Sequence, residues 1–383
     1  MSLRDELRAI SARPDDARKR RFRKFGIIEN PFPPAGQPAG NPHHASSVDS
    51  EVTSRIKSFY QDRTSQVLLI EGIQGVGKTN LLTHYESELR EAIEDEPAYY
   101  VIRYYMDPEP SFDGILRRLF QELGTAHLAR FATALAELEA RERDRIIESA
   151  RGPEMRIVIR SLVRAAEGDD FVLGNAAETA LEWLTGMRLL NKHREALGVQ
   201  FRLDTVESKT QALRDLVHCS SEADVLKGVF LLLDELEKQD YSVSKMVLLR
   251  YLSAIRAIID ALPGYLFLMI ALTPEARRRY YGMLPAFQGR LQTVVTLSPL
   301  TKTSEAIELS RFYLEAAKKK AADAMQGTNI SAGSDVLLQE QEVRDVFERC
   351  ADESAERGGE GVTQRDFLNA LHEQAVAVLS QLG

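Results

Sequence analysis

The chain has 383 residues, of which 44% are hydrophobic and 28% charged, and its formal net charge is −8. This composition is typical of a soluble globular protein of two or three domains, and no apolar run reaches the roughly 18–20 residues that a membrane span needs. The acidic balance argues against non-specific nucleic-acid binding by the whole surface. Cys219 and Cys350 are the two cysteines, which excludes a disulfide scaffold and predicts a reducing compartment, the cytoplasm.

The N-terminal residues 1–47 predict a basic helix followed by a Pro/Gly-rich arm. The helix, over residues 1–24, has no apolar signal-peptide core. It ends in RKRRFRK, residues 18–24, which is either a solvated helix end or an arm that contacts phosphates. Residues 25–47 are dense in Pro, Gly, Asn and Ser and are predicted to form an extended loop.

A candidate phosphate loop follows the first predicted strand. A helix is predicted over 48–63, then the strand QVLLIEG, and the loop itself lies in GIQGVGKTN. Its glycines let the backbone curl so that N–H groups face phosphates, and the next helix adds the partial positive charge of its N-terminus. Lys78 would reach the β and γ oxygens, and Thr79 would hold Mg²⁺. The residues predicted to bind nucleotide here are Gly72, Gln74, Gly75, Val76, Gly77, Lys78, Thr79 and Asn80.

A second strand and a long helical region come next. YYVIRYY, residues 99–105, predicts a strand, and residues 126–225 have an almost wholly helical pattern that predicts a helical insertion. Aromatic residues within 103–112 would suit the pore loop of a translocating ring. Tyr104 and Tyr105 lie at the end of the strand, however, and are expected in the core.

The second nucleotide motif is VFLLLDE, residues 229–235. A continuous apolar run of this kind is typical of a strand that is buried on both faces. Asp234 at its end would bind Mg²⁺, and Glu235 would polarise an attacking water as a general base. The Asp-Glu pair therefore favours hydrolysis over phosphate transfer to a small acceptor.

Two later strands bring further polar candidates. After a helix over 243–261, PGYLFLMIALTP predicts a buried strand that ends at Thr273. Thr273 either orients the attacking water beside the γ-phosphate or caps the helix PEARRRYYG. Arg290 precedes the short strand TVVT and either points at the γ-phosphate of a neighbouring subunit or forms a surface salt bridge. The arginine run at 277–279 is expected on a solvated face.

The C-terminal part predicts a helical lid. Thr363 and Asp366 form a capping signal at the start of the last helix. Arg365 on that helix is either a residue that contacts the nucleotide or an exposed helix charge. The predicted helices span 304–326, 335–350 and 363–381.

Strands that alternate with helices predict an α/β fold with a parallel sheet. The expected domains are an N-terminal helix and arm at 1–47, a nucleotide-binding core at 48–301 that contains the helical insertion, and a helical lid at 302–383.

These motifs in this order resemble those of AAA+ ATPases, over residues 48–380. In that family a phosphate loop, an Asp-Glu strand, a polar sensor, an arginine finger and a lid arginine recur in sequence. The resemblance implies ATP and Mg²⁺ as ligands and a P-loop AAA+ core. It also implies that ENPFPP, residues 29–34, packs near the adenine, as the similar segment of initiator-type members does. The roles carried over fall on Lys78, Thr79, Asp234, Glu235, Thr273, Arg290 and Arg365.

A narrower resemblance is to the ATP-binding proteins of BREX-type (bacteriophage exclusion) defence islands. Those are AAA+ proteins of the origin-recognition-like branch, with a helical insertion ahead of the Asp-Glu strand. The segments that carry the resemblance are ALEWLTGMRLLNKHREALGV, GVFLLLDELEK, IRAIIDALPGYLFLMIALTPE, GRL and TQRDFL. No winged-helix pattern follows the lid before Gly383, which argues against direct duplex recognition by this chain.

Together these features predict an ATP-hydrolysing protein that oligomerises with ATP between subunits. It would act as a nucleotide-controlled assembly or remodelling factor in prokaryotic anti-phage defence or another DNA-linked multi-protein system. The alternative is a transposition-regulator or initiator-like ATP switch loaded on DNA. A small-molecule phosphotransferase is disfavoured because it would not need the helical insertion.

The expected partners are further copies of the chain and other proteins of the same system, which would bind the helical insertion. DNA is a further candidate partner, through the basic residues at 18–24 or 277–279. No membrane partner is expected.

Overall fold

The computed structural model describes residues 22–34, 42–105, 114–187, 190–239, 244–291, 293–325 and 335–381. The chain packs into two compact units. The first, called the sheet unit, consists of Ser47–Glu71 and Tyr85–Thr296. The second, called the lid unit, consists of Met1–Ser46, Gly72–His84 and Leu297–Gly383. This grouping places the phosphate loop with the C-terminal helices, which the sequence patterns did not predict.

Two sequence predictions concern residues that the structure does not describe. The helix predicted over 1–24, with most of the basic stretch at 18–24, lies outside the described residues up to residue 21. The same is true of the residues that follow Tyr105 in the aromatic stretch at 103–112. Tyr104 is described and is buried at 5% exposure, as its expected place in the core requires.

The sheet unit contains a five-stranded sheet in the order β2-β3-β4-β1-β5, and neighbouring strands are parallel. Every residue of β3 and β4 is buried, because both strands are flanked by other strands and covered on both faces. Parallel strands end at the same edge of a sheet, here called the carboxyl edge, and begin at the opposite amino edge. The strands are β1 (Gln66–Glu71), β2 (Tyr99–Tyr105), β3 (Gly228–Asp234), β4 (Leu266–Leu272) and β5 (Thr293–Thr296).

Most of the described helices occupy segments that the periodicity predicts. In chain order they are α1 (Ser47–Asp62), α2 (Lys78–Ala92), α3 (Gly114–Glu137), α4 (Ala140–Ser149), α5 (Pro153–Ala166), α6 (Asp170–Leu184), α7 (Asn191–Leu197), α8 (Val206–Glu222), α9 (Lys245–Ala261), α10 (Pro274–Met283), α11 (Pro285–Gln288), α12 (Thr303–Met325), α13 (Glu340–Glu356) and α14 (Gln364–Gln381). In the part of the chain that the structure describes, no helix combines the length and the apolar character that a membrane crossing requires.

Capping side chains set the start of two helices in the lid unit. The helix predicted over 335–350 begins later, because Gln339 forms a capping box with Glu342, and it extends to Glu356. At α14 the capping prediction is confirmed, since the N–H of Asp366 donates to Oγ1 of Thr363 at 3.1 Å.

Helices α3 to α8 fill the chain between β2 and β3 and confirm the predicted helical insertion. Gly124, with φ of 71°, breaks α3 into two helical parts. Trp183 lies in the core that these helices share with the sheet and is 1% exposed. Its indole N–H donates to the carbonyl of Phe201 at 2.9 Å, so the buried ring has no unpaired polar atom.

The lid unit has a separate hydrophobic core. Helices α12 to α14 pack there with Phe25, Ile27 and Phe32 of the N-terminal segment. Leu300 and Val362 form an antiparallel bridge that joins the chain before α12 to the chain before α14. The predicted α/β class, with a parallel sheet, a helical insertion and a helical C-terminal region, is therefore confirmed.

Candidate active site

The phosphate loop has the curled conformation that its glycines predict. Gly75 and Gly77 have φ angles of 89° and 101°, in a region that residues with a Cβ rarely adopt. Lys78 begins α2, and its ammonium donates to the carbonyls of Gly72 and Ile73 at 2.8 and 3.2 Å. The helix N-terminus and this ammonium place positive charge at the loop, which suits an anionic ligand.

Gly72 is required by close contacts. A Cβ at Gly72 would lie 2.6 Å from Cγ2 of Val76 and 2.8 Å from the carbonyl oxygen of Leu297. Val76 is 1% exposed, so its side chain is buried beneath the loop backbone. Gln74, in contrast, is exposed.

The start of α14 lies directly on the phosphate loop. The N–H of Arg365 donates to the carbonyl of Gly75 at 3.0 Å. A Cβ at Gly77 would lie 2.8 Å from Oε1 of Gln364, and one at Gly75 would lie 3.0 Å from Oγ1 of Thr363. Arg365 therefore meets the loop through its backbone, and its side chain is exposed. Sequence reasoning missed Gln364, which no motif marks.

The first turn of α2 holds the other predicted residues of this motif. The carbonyl of Thr79 accepts from the hydroxyl of Thr83 at 2.8 Å, and the Thr79 residue is half-buried. The amide of Asn80 donates to the carbonyl of Pro42 at 3.3 Å. Asn80 thus ties α2 to the N-terminal arm within the lid unit.

The ENPFPP segment is bound to the same helix that covers the loop. The Asn30 amide donates to the carbonyl of His372 at 3.1 Å, and its Oδ1 accepts from the N–H of Phe32. Nδ1 of His372 lies 2.7 Å from the carbonyl oxygen of Phe32. Phe32 is 1% exposed. The position of this segment beside adenine stays a prediction.

In the sheet unit, Asp234 ends β3 at the carboxyl edge, and both of its carboxylate oxygens accept hydrogen bonds. Oδ2 accepts from Nη2 of Arg103 at 2.7 Å, and Oδ1 accepts from the N–H of Glu235 at 3.0 Å. The Arg103 and Asp234 side chains are only 3% and 2% exposed. Arg103 belongs to the adjacent strand β2 and is a second residue that sequence reasoning missed.

Glu235 has a strained backbone. Its φ is 59°, a left-handed conformation that costs a residue with a Cβ roughly 1–2 kcal/mol. Strain of this kind concentrates at functional sites, where the surrounding structure enforces it. The proposed general base therefore sits at a position that the fold holds against a local preference.

Thr273 follows β4, the strand next to β3, and caps α10. Its Oγ1 accepts from the N–H of Ala276 at 3.3 Å. The N-cap interpretation is therefore correct. Because a hydroxyl that accepts one bond can still donate its proton, the sensor role stays compatible with this geometry and remains a prediction.

One of the arginines expected on a solvated face has a nearly buried partner. Nε of Arg277 lies 2.8 Å from Oε1 of Glu71, and the side chains are 30% and 8% exposed. Glu71 ends β1 and immediately precedes the phosphate loop in sequence. Arg278 pairs with Glu275 at 3.6 Å and is 74% exposed, as predicted for this run.

Arg290 lies at the amino edge of the sheet, because it precedes β5. Its Nε lies 2.6 Å from Oδ1 of Asp260, near the end of α9, and the side chains are 43% and 38% exposed. The surface salt bridge predicted as one alternative is therefore present. Asp234 lies at the opposite, carboxyl edge, so Arg290 is directed away from the Asp-Glu pair of its own chain.

The two motifs contain the hydrogen-bond donors that a nucleoside triphosphate requires and the oxygen ligands that Mg²⁺ requires. The loop provides backbone curvature at Gly75 and Gly77 where a Cβ would be strained, together with the Lys78 ammonium. The Thr79 hydroxyl and the Asp234 carboxylate are oxygen ligands of the type that Mg²⁺ prefers.

Comparisons with solved structures return distant likenesses. The ORC2 protein of Aeropyrum pernix in ADPNP–ADP complexes is 15% identical with a TM-score of 0.39, over 90% of this chain and 69% of that one. Cdc6p of Pyrobaculum aerophilum is 13% identical with a TM-score of 0.38, over 85% and 66%. A Walker-type ATPase of Pyrococcus abyssi is 12% identical with a TM-score of 0.33, over 91% and 75%. No curated protein matches the chain.

The sequence model of one protein family matches residues 112–382. This range includes most of the sheet unit, with the helical insertion, the Asp234–Glu235 pair and Thr273, and the C-terminal helices of the lid unit. The resemblance to the ATP-binding proteins of BREX-type defence islands is thereby confirmed. The chain belongs to the family of the BREX system ATP-binding protein BrxC/D and is an ATP-binding protein of that phage-defence system.

Proposed function

We propose that the chain hydrolyses ATP with Mg²⁺ and uses the reaction to control an assembly. The observation that carries this proposal is the combination of a curled phosphate loop that leads into Lys78 with a buried strand that ends in Asp234 and the strained Glu235. A protein that only stores nucleotide would not need a strained carboxylate beside its metal ligand.

In this proposal each residue has one role. Bound ATP with Mg²⁺ supplies the phosphoanhydride bond that is broken. Lys78 and the loop N–H groups hold the phosphate oxygens, and Thr79 and Asp234 hold the metal, directly or through water. Glu235 accepts the proton of the attacking water.

The lid unit supplies a means of coupling nucleotide to conformation. Because Gln364 and Arg365 lie on the phosphate loop, a ligand that changes the loop also changes the start of α14. We assign Arg365 to the nucleotide and Thr273 to the attacking water. The role of Arg365 rests on its backbone contact with Gly75. The role of Thr273 rests on its place after β4, which pairs with the strand that ends in Asp234.

The position of Arg290 supports hydrolysis between subunits. An exposed arginine at the amino edge of its own sheet is available to the nucleotide of a neighbouring copy. The salt bridge with Asp260 is exposed to water and therefore weak, so an approaching phosphate can displace it. We therefore propose a homo-oligomer in which Arg290 completes the neighbour's site.

The helical insertion is the proposed surface for other proteins of the system. Exposed apolar side chains are concentrated there, with Phe171, Met187, Leu190 and Phe201 between 57% and 77% exposed. Large exposed apolar groups of this kind often mark interaction surfaces.

The test is the ATPase rate per subunit against protein concentration, with and without duplex DNA. The Glu235→Gln variant serves as the blank and is expected to lower hydrolysis by about 10²–10⁴-fold. A rate per subunit that rises with protein concentration in the wild type, but not in Arg290→Ala, supports an active site shared between subunits. A rate that Glu235→Gln leaves unchanged contradicts the proposed chemistry, and a rate independent of concentration contradicts the oligomer. A further rise with DNA would favour a DNA-loaded switch.

A further inference from the structure

The Arg103–Asp234 ion pair is unusual for a metal-binding carboxylate. Nη2 of Arg103 lies 2.7 Å from Oδ2 of Asp234, and both side chains are almost completely buried. The other oxygen of Asp234 accepts the backbone N–H of Glu235. The carboxylate assigned to Mg²⁺ is thus already neutralised by a permanent cation from β2.

An arginine cannot give up its charge to accommodate a metal, because its pKa lies far above neutrality in any protein. A permanent positive charge 2.7 Å from a carboxylate oxygen repels any further cation that binds to that carboxylate. Arg103 therefore opposes the binding of a divalent cation to Asp234. Asp234 should therefore be a poor metal ligand by itself.

Loss of Arg103 would also remove one restraint on the orientation of the Asp234 carboxylate. This second effect would weaken metal binding, whereas loss of the positive charge would strengthen it. The second restraint, the N–H of Glu235, remains, and β3 is buried along its whole length. The carboxylate thus stays in place when the guanidinium is removed. The electrostatic effect should exceed the loss of orientation.

We propose that Arg103 is a positioning residue that sets the metal dependence of the site. It holds Asp234 neutralised and so lowers the affinity of the nucleotide-free protein for Mg²⁺. This inference rests on the proposed function in one respect, the assignment of Asp234 to the metal.

The experiment measures binding of Mn²⁺, a spectroscopic substitute for Mg²⁺, by the electron paramagnetic resonance of the free ion, without nucleotide. Arg103→Gln keeps a hydrogen-bond donor and removes the charge, and it should bind Mn²⁺ at least about tenfold more tightly than the wild type. Arg103→Lys keeps the charge and should stay near the wild type. The double variant Arg103→Gln, Asp234→Asn should lose the gain, which would identify Asp234 as the ligand.

Unchanged or weaker Mn²⁺ binding by Arg103→Gln would overturn the inference, as would an equal gain in Arg103→Lys. Removing one partner of a buried ion pair is destabilising, so each variant is first checked by thermal unfolding. If Arg103→Gln does not fold, Arg103→Met takes its place, because methionine removes the charge and keeps an unbranched apolar side chain at the buried position. It should show the same tighter Mn²⁺ binding, and an affinity equal to that of the wild type contradicts the inference.

Two outcomes separate this inference from the proposed function. ATP hydrolysis that depends on Glu235, together with an unchanged Mn²⁺ affinity in Arg103→Gln, refutes the inference alone. Tighter Mn²⁺ binding in Arg103→Gln, together with no ATP hydrolysis in the wild type, refutes the proposed function alone.

Discussion

The two units of the chain differ in how many polar side chains they bury. Among the described residues, ten polar or charged side chains are buried, and all except Ser310 belong to the sheet unit. These nine are Glu71, Arg103, His127, Ser161, Thr185, Lys209, Asp215, Ser220 and Asp234. The lid unit instead contains the phosphate loop, whose curvature depends on the backbone conformation of Gly75 and Gly77. Side-chain sites thus depend on partners elsewhere in the chain, whereas the loop depends on glycine.

The largest effect on stability is expected at Asp215, a buried carboxylate in the sheet unit that accepts several hydrogen bonds. Asp215 is 0% exposed and accepts from the N–H of Gly152 at 2.7 Å, from Gln211 at 2.7 Å and from Arg214 at 2.9 Å. Asp215→Ala leaves these donors unpaired, and we expect a loss of about 3 kcal/mol in the free energy of unfolding.

Urea denaturation of the Asp215→Ala variant measures this loss. The matched control is Asp144→Ala, at an exposed position of α4, which should change stability by less than about 0.5 kcal/mol. Equal stabilities for the two variants would show that the buried network contributes little.

The second effect is pH-dependent and concerns His127, which is buried among α3, β2 and α8. Nδ1 lies 2.8 Å from the hydroxyl oxygen of Tyr100, and Nε2 lies 3.0 Å from Oγ of Ser220. Arg130 donates to Tyr100 at 2.6 Å, so the Tyr100 hydroxyl donates to Nδ1 and Nε2–H donates to Ser220. Burial, with a smaller contribution from the Arg130 charge, lowers the pKa of His127 from 6.5 to about 3.

Because the folded pKa of His127 is below the unfolded one, its stabilising effect is complete above about pH 6.5 and is lost as the pH falls toward 3. Between pH 6.5 and 4.5 the wild type should lose about 2–3 kcal/mol more stability than His127→Gln, which cannot titrate. Urea denaturation of both proteins at each pH measures the difference. Parallel pH profiles would mean that the imidazole becomes protonated in the folded state.

The third prediction tests the backbone-built site. Gly77→Ala places a Cβ at a φ of 101° and against Gln364, which we expect to cost about 1–2 kcal/mol and to weaken nucleotide binding about tenfold. Fluorescence titration with a labelled ATP analogue measures the affinity.

The control for this variant is Gly174→Ala in α6, where the new Cβ would meet nothing within 4 Å. This change should stabilise the protein by about 0.5–1 kcal/mol and leave nucleotide affinity unaltered. If Gly77→Ala also binds normally, the left-handed glycine is not essential to the loop.

The smallest effect concerns the strain at Glu235. Glu235→Gly should be more stable than Glu235→Gln by about 0.5–1 kcal/mol, because glycine relieves the left-handed strain but adds entropy to the unfolded chain. Both variants lack the general base, so their thermal unfolding isolates the backbone contribution. A glycine variant less stable than the glutamine variant would show that contacts of the side chain outweigh the strain.

Much of the fold follows from local patterns. The strands, the insertion and two of the three lid helices agree with the predictions within a few residues, because periodicity and capping depend on neighbours in sequence. The roles of Arg103 and Gln364 had no such signal. Arg103 is one polar residue in an otherwise apolar and aromatic strand, and its partner Asp234 is 131 positions away. Gln364 meets Gly77 only because α14 folds back onto the loop.

Thr273 and Arg290 show an intermediate case. The sequence left two interpretations open for each residue. The structure shows that Thr273 caps α10 and that Arg290 forms a salt bridge with Asp260. The catalytic alternatives need a nucleotide or a second subunit and stay predictions. Strand order decided one further point, since parallel pairing places Arg290 and Asp234 at opposite edges of one sheet.

The sequence by itself determined the nucleotide motifs and the α/β class, because a left-handed loop requires glycine and a doubly covered strand requires a continuous apolar run. The tertiary structure alone decided which cation neutralises Asp234, which residue lies on the phosphate loop and which tautomer His127 adopts. Those properties depend on contacts between residues far apart in the chain, and local preference carries no information about such pairs.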